Sequence, residues 1–159
     1  MNDESHSGAA VSESFGELRV PVAAPENLML GVMAGVIAML VGTAIWVTVT
    51  VATNFQIGYM AVGVGFLVGI AMRWAGRGQS TTFQGIGGAL ALLGCALGNL
   101  FTGCELIAEA NEVLFAEVVG GLNFELVQGI MTAMFSPMDI LFYALAAMAG
   151  WKYSVVSAE

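Results

Sequence analysis

Gln56, Tyr59, Asn99 and Asp139 are the side chains best placed to do chemistry, because each lies inside or at the edge of a long apolar run. Amide, phenol and carboxylate groups in such surroundings must find hydrogen-bond partners. They suit either helix-to-helix bonding or the capture of a small polar solute or cation. A catalytic set is not evident: no membrane Ser–His pair and no acid–base pair within a span occur. His6 is the single histidine, so no metal-ligand spacing is available. Cys95 and Cys104 are nine residues apart. On one straight helix that is about 13 Å of rise, too far for a disulfide, and both read as small apolar packing residues. No catalytic residue, cofactor or metal site is therefore expected, and an enzyme is the least favoured class.

The elements that must position these residues are of membrane length. The chain has 159 residues, 58% hydrophobic and 10% charged. Soluble domains average roughly 45–50% apolar and about 25% charged. A soluble fold of this size would lack the polar surface to cover itself. The net charge of −8 excludes a basic nucleic-acid footprint. No charged residue lies between Glu26 and Arg73, between Arg77 and Glu105, or between Asp139 and Lys152.

The reading is an all-α membrane protein with four transmembrane helices, about 28–53, 57–74, 83–104 and 137–152. The first would be about 39 Å long against a hydrocarbon core of about 30 Å. Val47 to Val51 alternates like a strand, but a lone strand in lipid leaves its backbone unsatisfied, so helix is expected. Thr48 and Thr50 should bond back to carbonyls one turn earlier. Asn54 is suited to end the first helix in the left-handed region.

Glycines mark helix-contact faces: Gly31 with Gly35, Gly58 with Gly65, Gly69 and Gly76, and Gly94 with Gly98. The second-span stripe is expected to pack on the first helix. Arg73, Trp74 and Arg77, followed by Gly78, and later Trp151 with Lys152, read as basic and aromatic interface anchors. Gly76 and Gly78 are expected to end the second helix.

Residues 1–27 read as a disordered acidic tail and 154–159 as a short one. The loop 105–136 carries five glutamates and no basic residue. Glu105, Glu109 and Glu112 fall on one face of an expected amphipathic surface helix, which Gly120–Gly121 should break. Leu126 to Phe135 is apolar but too short to span, so it is either re-entrant or interfacial. Ser136-Pro137-Met138-Asp139 is a helix start with cap, first-turn proline and acid in place. With Arg19 before the first span, every basic residue falls on one side. The positive-inside rule then puts both termini in the cytoplasm and the acidic loop outside.

The run from Gln56 to Gly69, with Trp46, Arg73 and Gly76-Arg77-Gly78, resembles a group of uncharacterised small bacterial membrane proteins. Gly94-Cys95, Gly98-Asn99 and Asp139 to Tyr143 fit the same pattern, so the resemblance covers residues 31 to 153. It implies a four-span topology and a bacterial inner membrane, with no activity attached. Some members carry a zinc-ribbon-like N-terminal segment; the tail here has no cysteine, so no metal role carries over. Many have tyrosine where Phe55 stands. The expected function is non-enzymatic, as an oligomer or an accessory subunit of a membrane assembly, with the lipid bilayer and a second copy or membrane-protein partner as its contacts. The alternative is a small channel or a solute or ion transporter.

Overall fold

The computed structural model describes residues 25–54 and 58–156. The leading segment with Arg19, the turn residue Gln56 and the last three residues lie outside the described residues. The described chain is all helical: α1 (Leu28–Thr53), α2 (Tyr59–Gly76), α3 (Thr81–Asn111), α4 (Phe115–Gly120), α5 (Phe124–Met134) and α6 (Pro137–Tyr153). α1, α2 and α3 are each long and apolar enough to cross a membrane. α5 and α6 meet at a 97° bend, and taken together they make a fourth candidate crossing.

Local chemistry sets the helix ends. Asn27 caps α1 by accepting the Leu30 N–H at 3.0 Å. Asn54 closes it in the left-handed region, φ 53°, as its residue type suggests. Ser136 and Asp139 form a reciprocal capping box on α6, with Pro137 in the first turn. The second helix ends at Gly76, as expected, and Arg77 takes the left-handed position after it, φ 51°. Gly78 is instead needed for space, because a side chain there would strike the Phe83 ring.

The close contacts fix the topology. Gly31 lies against Gly76, Gly35 against Met72 and Gly42 against Val64, so α1 and α2 run antiparallel. Gly35 also meets Leu90, and Trp46 meets Gly98, so α1 and α3 run parallel. Thr43 Oγ1 donates to the Gly94 carbonyl across that pair at 3.2 Å. Gly58 meets Phe142, Gly65 meets Ala146, and Gly69 meets Ala149 and Tyr153, so α2 and α6 are parallel. α1 and α6 do not touch; each packs on the central α2–α3 pair. The glycine stripe of α2 therefore faces α6, with only Gly76 reaching α1. α6 meets that stripe with the buried Ala146 and Ala149, while α1 brings its own glycines, Gly31, Gly35 and Gly42, against α2.

The third helix also departs from expectation. It does not stop near 104 with a separate surface helix after it. It continues unbroken to Asn111, and Glu112 closes it at φ 54°. No glycine or proline interrupts 105–111, and the glutamates extend the same helical period. At 31 residues it is about 46 Å long, so it projects past its neighbours. α4 and α5 pack only on this projection, around Cys104, Ala108, Val118 and Ile130. Gly103 gives the Ile130 side chain its room. Gly120 ends α4, where a break was expected.

At the opposite end three segments are tied together. Asn27 N–H donates to the Gly76 carbonyl, and Val156 N–H to the Gly78 carbonyl, both at 2.8 Å. The Glu26 carboxylate accepts the N–H groups of Gln79 at 2.9 Å and Ser80 at 3.1 Å. These bonds, the Gln79 one foremost, hold its pKa below the usual carboxylate value. A lowered folded pKa means the clamp is complete above the unfolded value of 4.5 and is lost as pH falls through the folded value. The protection factors of the Gln79 and Ser80 amides should thus drop in acid below that value. Glu26→Gln should remove this pH dependence; unchanged acid behaviour in that variant would show that the clamp is not the cause.

Candidate functional site

Polar side chains from three helices converge toward the acidic end of the bundle. α1 supplies Trp46 and, one turn later, Thr50; α3 supplies Cys95, Asn99 and Thr102; α6 supplies Asp139 and Tyr143. The parallel register of α1 and α3, set by Thr43 on Gly94 and Trp46 on Gly98, carries Thr50 and Thr102 to the same level. Asn99 Nδ2 donates to the Tyr143 hydroxyl at 2.7 Å, and that hydroxyl donates to the Cys95 carbonyl at 3.1 Å. The chain of two bonds ties α3 to α6. Cys95 Sγ lies 3.8 Å from the Ala61 carbonyl and brings α2 into contact.

Among the described residues, three buried polar atoms have no hydrogen-bond partner: Trp46 Nε1, Thr50 Oγ1 and Thr102 Oγ1. Trp46 is 1%, Thr50 5% and Thr102 0% exposed. A buried polar group left unpaired costs about 1–3 kcal/mol, so each marks a place where the bundle gives up stability. The back-bond expected of Thr50 does not form. That of Thr48 does, its hydroxyl donating to the Ala44 carbonyl at 2.9 Å, and Thr53 does likewise to Val49 at 2.7 Å.

Of the four polar residues singled out in the sequence, Asn99 sits at the centre of this cluster. Asp139 is buried at its edge, where its carboxylate accepts the Ser136 N–H at 2.7 Å and serves as a helix cap. Tyr59 is 74% exposed and stacks edge-on with Phe142, centroids 5.4 Å apart; it does not join. Gln56 lies outside the described residues. Trp46, Thr50, Thr102 and Tyr143 were not singled out as polar-site residues. Their spacing held a signal: Trp46–Thr50 and Asp139–Tyr143 are i, i+4 pairs and Asn99–Thr102 an i, i+3 pair, which keeps each pair on one helix face.

Tyr143→Phe removes the acceptor of Asn99 and the donor to Cys95 without changing the ring. A bond of this kind in a membrane bundle is worth about 0.6–1.7 kcal/mol, so a loss in that range is expected in an SDS-unfolding titration. No loss at all would mean that the two bonds do not join α3 to α6.

The residues expected as interface anchors gather at the other end. Arg73 lies in the last turn of α2 and Lys152 in the last turn of α6. Trp74 is 87% and Trp151 45% exposed. Cys95 and Cys104 are free and buried. Comparison with protein-family models, with curated proteins and with solved structures finds no match.

Proposed function

We propose that this chain is a non-enzymatic, multi-pass protein of the bacterial inner membrane that works as part of an assembly, either with further copies of itself or as an accessory subunit. In this reading the bundle spans four times, both termini are cytoplasmic and the α4–α5 unit lies outside. The glycine faces do not support it, since Gly31, Gly35, Gly65, Gly69, Gly94 and Gly98 are all buried inside one chain. The supporting observation is the surface of the α4–α5 unit. Leu114 is 69% and Phe124 81% exposed, next to a row of glutamates. Taking those glutamates into hydrocarbon is costly, so a protein partner suits the exposed apolar residues better than lipid does.

Native mass spectrometry in mild detergent, with a photo-crosslinker at Phe124, tests this. More than one chain per particle, or a defined heteromeric adduct, is expected, and Phe124→Glu should abolish it. A strictly monomeric, partner-free protein sinks the reading.

The three unpartnered polar atoms favour a second reading, a small channel or transporter that takes a hydrogen-bonding solute at the Asn99 cluster. Membrane pathways are usually lined by such groups. Liposome flux with Asn99→Leu, Asp139→Asn and Thr102→Val distinguishes it. Flux that falls at least tenfold in Asn99→Leu supports transport, and flux equal in all variants removes these residues from the idea.

A further inference from the structure

A lateral groove of about 1,050 Å³ runs along the basic-end half of α6, bordered by α2 and α3. Its walls are apolar: Phe66 from α2, Gly88 and Leu92 from α3, Leu145 and Met148 from α6. Its polar side chains lie at the basic end: Gln84, one turn into α3, and Trp151, Lys152 and Tyr153, in the last turn of α6. From Lys152 back to Leu145, or from Gln84 on to Leu92, the apolar walls extend about 10–12 Å along the helices. Gly85 and Gly88 keep the α3 wall low, since a side chain at Gly85 would meet only the edge of Trp151.

We infer that this groove binds one anionic phospholipid, with its phosphate at Lys152 and Gln84 and its acyl chains against the apolar walls. Charge complementarity carries the choice. Lys152 is the one ionic residue of the lining, and its ammonium lies 5.9 Å from the Tyr153 ring centroid. The described carboxylates are elsewhere. Glu26 is engaged with Gln79 and Ser80, and the other six belong to the acidic end, from Glu105 to Asp139. A cation in a chain of net charge −8 at the mouth of an apolar trough matches a lipid with a negative head and two tails. The inference rests on a bilayer around the bundle and is independent of whether the chain assembles with a partner.

The test is native mass spectrometry of the full chain, delipidated in detergent and titrated with phosphatidylglycerol, with phosphatidylcholine, or with inorganic phosphate. One phosphatidylglycerol per chain should persist, bound about five-fold tighter than phosphatidylcholine, the value of one lysine at an anionic surface. Lys152→Gln, an exposed change that leaves the packing alone, should bring the two lipids to parity. Ala89→Trp, which fills the groove from its exposed side, should weaken both lipids. Equal binding of the two lipids by the native chain would overturn the inference, as would an unchanged preference in Lys152→Gln. Displacement of the lipid by inorganic phosphate alone would show an ion site without an acyl groove, and would overturn it too.

Discussion

Gly65→Leu is expected to be the most damaging single change in the bundle, costing about 3 kcal/mol or more. A Cβ at this position runs into the Ala146 main chain, whose carbonyl oxygen, carbonyl carbon and Cα are its nearest neighbours. A flexible side chain can rotate away from such an intrusion; a backbone inside a helix cannot, so α6 as a whole must move. Its retreat would also open the reciprocal contact at the other face, where Gly87 and Gly150 each approach the other's carbonyl. Gly63, two residues earlier on the same helix, has nothing within 4 Å of a built Cβ. Gly63→Leu should therefore fall within about 0.5 kcal/mol of the native chain. Thermal unfolding in detergent, followed by size-exclusion fluorescence, separates the two. Equal melting of both variants would mean that α2 and α6 are not in backbone contact.

Phe83→Ala should come next, at about 2–3 kcal/mol. Phe83 is fully buried, and its ring fills the space left above Gly31, Gly76 and Gly78. In a water-soluble core, loss of such a ring costs about 3–5 kcal/mol. In the proposed bilayer setting lipid is as apolar as the core, so the transfer part shrinks and the packing part remains. The damage should be local. Amide exchange should speed up first at Asn27 and Val156, whose N–H groups donate to Gly76 and Gly78, and last near Asn99. Uniform acceleration along the chain would show that the basic end has no independent role in holding α1 to the α2–α3 turn.

These two positions also show how far the residues could be read in advance. That Gly65 and Gly69 mark a close helix contact follows from their spacing alone, because a stripe without side chains only makes sense against another backbone. Which helix would come close does not follow. The choice of α6 over α1 depends on Ala146 and Ala149 lying at the same depth, and depth depends on how three helices stack. Phe83 is an aromatic near a helix start, with nothing else in the sequence to mark it. Its importance comes from three glycines on α1, α2 and the following turn, distant in sequence and brought under one ring.

The polar cluster divides in the same way. Asn99 could be singled out because an amide in an apolar segment needs a partner wherever the helix lies. Its partner, Tyr143, is 44 residues away, and aromatic residues near helix ends have a more ordinary explanation as interface anchors. Thr50 was expected to satisfy itself locally, as threonines in helices do. In the fold its hydroxyl is left without a partner while Thr48 makes the local bond.

Short-range physics was therefore enough for the helices themselves. Apolar length, cap residues and the need to satisfy every backbone group in a dry medium depend on neighbours a few positions apart, so the chain carries them openly. Partner choice and the loss of partners for the buried groups of Trp46, Thr50 and Thr102 were decided only on assembly. Those features arise where surfaces far apart in the chain compete for the same space, and that competition has no local signature.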